Sequence, residues 1–101
     1  MDRKKQERAP FVEALEGYCQ QHLKAYHTPG HKLGQGISAY QASLFGDALR
    51  RDLGVMYALD DLFQPEGALK EAMDLAADLY GAGRTFFSIN GTTACIEAMI
   101  L

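Results

Sequence analysis

The sequence predicts an α/β protein, and three neighbouring stretches in its C-terminal part carry that prediction. Thr85-Phe86-Phe87-Ser88-Ile89 is a short run of β-branched and aromatic residues, the composition of a strand buried on both faces of a parallel sheet. Before it, Ala68 to Tyr80 has a helical period. Leu69, Ala72, Met73, Ala76, Leu79 and Tyr80 fall on an apolar face, Lys70, Glu71, Asp74 and Asp78 on a wet one, and Gly81 is placed to stop the helix. After it, Asn90-Gly91 breaks the strand and Thr92-Thr93 opens a second apolar helical run, Ala94 to Leu101. Helix, strand and helix in succession are the alternation of a layered sandwich.

The turn between strand and second helix is the candidate binding site. The first backbone N–H groups of a helix have no internal partner and lie at the positive end of its dipole. Gly91 would let a phosphate approach the backbone, and two threonine hydroxyls could add hydrogen bonds. Asn90, Gly91, Thr92 and Thr93 are therefore the candidate ligand residues. The same residues also describe a helix that Thr92 merely caps, with no ligand at all.

Composition narrows the function classes. With 101 residues and 48% hydrophobic content there is material for one domain and a modest core. Ten basic against thirteen acidic side chains, net −3, is not the balance of a protein that depends on nucleic acid or a membrane surface. No run reaches the ~18 apolar residues of a membrane span. Met1 to Arg8 resembles the charged start of a signal peptide, but the amphipathic Phe11–Ala25, with Glu13 and Glu16 inside it, follows in place of an apolar block, so no export signal is expected. Cys19 and Cys95 fit no metal or redox spacing, and a cytoplasmic chain with free thiols is expected.

From the N-terminus, residues 1–9 are expected to be a disordered, solvated end. Pro10 suits a helix start, and Phe11, Leu15, Tyr18 and His22, with Val12 and Cys19 beside them, form one apolar stripe on a helix to about Ala25. Tyr26 to Gly36 is a loop. His27 and His31 are four apart, but Pro29-Gly30 between them forbids the helix that would pair them on a metal, and no third ligand is evident. Gly34-x-Gly36-x-x-Ala39 lacks the strand and the later acidic residue of a dinucleotide fingerprint. Ser38 to Leu53 has mixed helical character, and Val55-Met56-Tyr57 is a candidate extended piece. The pair Asp60-Asp61, in the loop leading to the helix at Ala68, is expected to cap or to hydrogen-bond within that loop.

Five stretches in one order carry a resemblance: Tyr26-His27-Thr28-Pro29-Gly30-His31-Lys32; Leu59-Asp60-Asp61-Leu62 with Pro65 and Gly67; Lys70-Glu71-Ala72; Leu75-Ala76-Ala77 with Tyr80-Gly81-Ala82; and Thr85-Phe86-Phe87 with Asn90-Gly91-Thr92-Thr93. Together, from about Pro10 to Leu101, the chain resembles the N-terminal part of the major domain of the Orn/Lys/Arg decarboxylases. These are pyridoxal-phosphate-dependent enzymes of the aspartate-aminotransferase fold type. The resemblance implies an N-terminal fragment of a fold-type-I large domain: residues 10–64 a helix and active-site-rim loop, residues 65–101 the start of the cofactor-binding domain with the first strand and helix of a mostly parallel sheet. It makes Asn90-Gly91-Thr92-Thr93 the cradle for the phosphate of pyridoxal 5'-phosphate. Leu33, where the family tends to have glycine, and Ala94-Cys95 depart from the pattern.

The same resemblance implies what to expect of activity. The family's Schiff-base lysine follows a Ser-x-His pattern far downstream of the phosphate turn, so His31-Lys32, which precedes the turn, is a decoy. The chain stops inside an apolar helix without a cap, as a truncated frame would. The expectation is a segment of a decarboxylase of basic amino acids, inactive alone, self-associating, from a parent that is a homo-oligomer. A small stand-alone anion-binding or interaction module is the alternative.

Overall fold

In the computed structural model, which describes residues 1–101, the chain forms five α-helices and one 3-10 turn: α1 Arg3–Gln6, α2 Pro10–Gln20, α3 Ala39–Phe45, the 3-10 turn Ala48–Arg51, α4 Ala68–Tyr80 and α5 Gly91–Ile100. Local chemistry explains most boundaries. Pro10 is the first helical residue of α2, where its missing N–H costs nothing. Ser38 and Gln41 close a reciprocal capping box on α3. Gly81 ends α4 with φ 64°, the left-handed conformation glycine adopts without strain. The helix expected to reach about Ala25 stops at Gln20, and His22, expected on its stripe, lies beyond it with φ 51°.

The expected strand is not formed. Residues 84–88 are irregular, and the β-pairing recorded in the chain is one isolated bridge between Met56 and Asp60. A strand gains its hydrogen bonds from neighbours, and these 101 residues supply none beside Thr85–Ile89. The α/β alternation read from the sequence is therefore helix–extended–helix here, without a sheet. Residues 1–9 are almost wholly exposed but carry α1, capped by Asp2 and laid on α4. Gln6 Nε2 donates to the Leu75 carbonyl at 2.9 Å, and Arg8 pairs with both Glu13 and Glu71.

The core is small. Pro10 and Cys19 of α2, Leu59 of the connecting loop, and Met73 and Ala77 of α4 are the five buried residues. They gather where α2 packs on α4 and on the 3-10 turn. Cys19 and Arg50 tie α2 to that turn reciprocally: the Cys19 thiol donates to the Arg50 carbonyl at 3.3 Å, and Arg50 Nη2 donates to the Cys19 carbonyl at 3.1 Å. Leu79 and Tyr80, expected on the buried face of α4, are exposed because nothing packs over the end of that helix. No helix is long and apolar enough to cross a membrane.

Candidate functional site

Asn90, Gly91, Thr92 and Thr93 form one turn, the N-terminus of α5. Asn90 is the N-cap, with φ −103° and ψ 17°, but its side chain accepts nothing from the helix; its own N–H donates to Ser88 Oγ at 3.3 Å. Gly91 is the first helical residue with φ 80°, so a side chain there would be strained although open space surrounds it. Thr92 lies inside the first turn and does not serve as the cap. All four residues are exposed.

The other helices show what α5 leaves open. Asp2 accepts from Lys4 N–H at 3.0 Å on α1, and Glu13 accepts from Ala9 N–H at 3.0 Å on α2. Ser38 accepts from Gln41 N–H at 3.2 Å on α3. On α4 the acceptor comes from outside the helix. Asp60 Oδ2 accepts from Gly67 N–H at 2.8 Å, Leu69 N–H at 3.0 Å and Lys70 N–H at 3.3 Å, while its Oδ1 takes Asp61 N–H and Glu66 N–H at 2.9 and 3.0 Å. A carboxylate thus sits in the positive N-terminus of α4, as an external anion would sit in that of α5. On the N–H groups of the first turn itself, α1, α3 and α4 have a side-chain acceptor, whereas α2 and α5 have none.

The expectation that Asp60-Asp61 works by capping and loop bonding is met, Asp61 itself accepting from Phe63 N–H at 2.9 Å. The reach of Asp60 across ten residues was not visible in the sequence, although its left-handed φ of 74° is one that aspartate tolerates. Desolvation pushes the Asp60 carboxyl up, but the N–H groups of Glu66, Asp61, Gly67 and Lys70 outweigh it and bring the pKa down to about 2, from an ordinary 3.8. Because the folded value is the lower one, the stabilisation is complete above about pH 4 and is lost as pH falls towards about 2. Asp60→Ala should cost α4 about 1–2 kcal/mol, and Asp60→Asn, which tolerates the backbone but not the charge, should cost less. Far-UV circular dichroism against pH checks this: the acid loss of helix should be present in the parent chain and absent from Asp60→Ala.

The Tyr26–Gly36 loop is built by its own polar side chains. Tyr18 Oη and His27 Nε2 lie 3.3 Å apart, and Lys32 Nζ donates to the His27 carbonyl at 2.6 Å. His31 Nε2 meets Asp52 Oδ2 at 3.0 Å. The two histidines thus take different partners, and no group of three or more His, Cys, Asp or Glu side chains is placed to hold a metal ion. Leu33 has φ 59°, a conformation in which a glycine would avoid a cost of roughly 1–2 kcal/mol. Tyr18, Asp52 and the 3-10 turn flank this loop, while α5 is absent from the main helix packing, which joins α2 to α4 and to the 3-10 turn and α1 to α4.

Helix α5 thus begins at a left-handed glycine, with no side chain accepting from its first N–H groups. Residues 9–101 match the family described as Orn/Lys/Arg decarboxylase, major domain, and the chain belongs to that family. It is 41% identical over 98 residues to an arginine decarboxylase of Halalkalibacterium halodurans, covering 96% of this chain and 20% of that protein. It is 43% identical over 94 residues to lysine decarboxylase LdcA of Pseudomonas aeruginosa, covering 83% of this chain and 12% of the relative. With the inducible ornithine decarboxylase of Escherichia coli it shares 38% over 100 residues, 92% of this chain and 14% of the relative. The chain therefore spans at most about a fifth of the length of these relatives. No solved structure matches it.

Proposed function

We propose that this chain is the N-terminal part of the major domain of a pyridoxal-phosphate-dependent decarboxylase of basic amino acids, and that Asn90-Gly91-Thr92-Thr93 receives the cofactor phosphate. The observation that carries the site is the N-terminus of α5, where no side chain accepts from the first turn and a left-handed glycine, two threonine hydroxyls and open space are presented. Those groups fit a phosphate. When bound, the cofactor supplies an electron sink for loss of the substrate carboxylate as carbon dioxide. The turn's part is to bind and orient it, the backbone N–H groups and hydroxyls donating to phosphate oxygens.

In this proposal residues 10–64 contribute a helix and a loop at the active-site rim, residues 65–101 begin the cofactor-binding domain, and Thr85–Ile89 becomes a strand once the rest of the sheet lies beside it. The relatives named for arginine, lysine and ornithine span 38–43% identity, so similarity favours no one substrate. In a full-length enzyme carrying this segment, Thr92→Ala and Thr93→Ala should each weaken cofactor binding by on the order of 1.5–3 kcal/mol and leave the fold intact. Cofactor titration of the folded apoenzyme measures it; unchanged affinity in the double variant would return the turn to a plain helix start.

A further inference from the structure

After His31, three successive residues are left-handed: Lys32 at φ 51°, Leu33 at 59° and Gly34 at 79°. Two of the three carry side chains, which disfavours this conformation and requires something to hold it. His31 holds it from within. Its Nδ1 accepts the Gly34 N–H at 3.1 Å, and its Nε2 stands 3.0 Å from Asp52 Oδ2. An N–H on one side and a carboxylate on the other select one arrangement of the neutral ring, with the proton on Nε2 donated to Asp52. The His31 side chain is 12% exposed, so the ring is enclosed. Lys32, next along, is half-buried, and its ammonium is fixed on the His27 carbonyl at 2.6 Å. One of its three N–H donors is committed and two are left.

We propose that His31, oriented by Asp52, is a positioning residue for Lys32: it keeps residues 32–34 left-handed and so sets the Lys32 ammonium where it meets an oxyanion. This rests on the reading that the Tyr26–Gly36 loop lines the active-site rim of a decarboxylase. Two oxyanions are then available, the carboxylate of the amino-acid substrate and the phosphate of the cofactor. Asp52 touches neither; it acts through the imidazole.

The chemistry of the ring separates its two bonds. Asparagine at position 31 can still accept the Gly34 N–H but cannot reach Asp52, whereas glutamine reaches towards Asp52 and abandons Gly34. The test uses the holoenzyme in which residues 9–101 replace the matching segment of the Halalkalibacterium halodurans arginine decarboxylase. Lys32→Ala should raise KM for the amino acid, or weaken pyridoxal phosphate binding, about tenfold, the scale of one charge-assisted hydrogen bond, with little change in kcat. A shift in KM alone assigns the carboxylate; a shift in cofactor affinity alone assigns the phosphate. His31→Gln should reproduce the Lys32→Ala effect, His31→Asn should recover most of it, and His31→Gln added to Lys32→Ala should change nothing further. A silent Lys32→Ala overturns the rim reading and the proposal with it. A Lys32→Ala effect without a His31→Gln effect, or the two effects adding, overturns the positioning role alone. Should His31→Gln fail to fold in the enzyme, His31→Leu, which fills similar space but accepts nothing from Gly34, still decides: it should reproduce the Lys32→Ala effect, and an unchanged KM and cofactor affinity overturn the proposal.

Discussion

The 101-residue chain on its own is expected to elute from gel filtration as associated species and to melt without a sharp, concentration-independent transition. Five of its 101 residues are buried. Its radius of gyration is 16.3 Å, against about 13 Å for a compact domain of this length. It makes 48 backbone–backbone hydrogen bonds, where about 70 are usual for a folded domain of this size. Phe86, Ile89, Met99 and Ile100 are each at least 72% exposed, which leaves one end of the chain with an apolar surface and an unpaired extended segment. Such surfaces associate. Gel filtration at several concentrations combined with thermal melting measures this. A sharp monomer peak with a cooperative melt would favour the small stand-alone anion-binding or interaction module over a segment of a larger domain.

The difference between what the sequence foretold and what the structure holds follows the range of each interaction. Helix α4 appears with the bounds read for it, because its apolar period and the glycine that stops it are local signals. The strand at Thr85–Ile89 carries an equally good local signal, but a strand is completed only by neighbours distant in sequence, and these are not among the 101 residues. Family membership was readable from five short stretches in register, and the match over residues 9–101 agrees with it. The Asn90–Thr93 turn was readable for the same reason as α4, since glycine and threonine at a helix start act within one turn.

Two interactions that organise the loops were not readable. Asp60 reaches the first turn of α4 from as far as ten residues away, and His31 finds Asp52 across twenty-one. Neither spacing corresponds to a local motif, and only the folded path of the loops brings those groups together. The structure gives Leu33 its meaning: the position is left-handed, so leucine bears a backbone cost there that a glycine would not.

The chain alone, supplied with pyridoxal phosphate, is expected to release no carbon dioxide from lysine, ornithine or arginine. A decarboxylase of this kind needs a lysine to hold the cofactor and an acid to partner its ring nitrogen, both brought to the phosphate turn. The five lysines here are otherwise placed. Lys4 and Lys5 lie on exposed α1, Lys24 in an exposed connection, Lys32 is fixed on the His27 carbonyl, and Lys70 pairs with Asp74 at 2.5 Å along α4. The His31-Lys32 pair is the one that most resembles a cofactor lysine in sequence, yet its ammonium is held within its own loop, and α5 stands outside the packing that joins α2, α4 and the 3-10 turn. Radiolabelled carbon dioxide release and the cofactor's visible spectrum test the expectation together. Measurable release, or a stoichiometric lysine-dependent absorbance band abolished by Lys32→Ala, would show that Lys32 takes the cofactor after all. Activity that appears only when these residues are joined to the remaining four-fifths of a relative would place the lysine and the acid in that remainder.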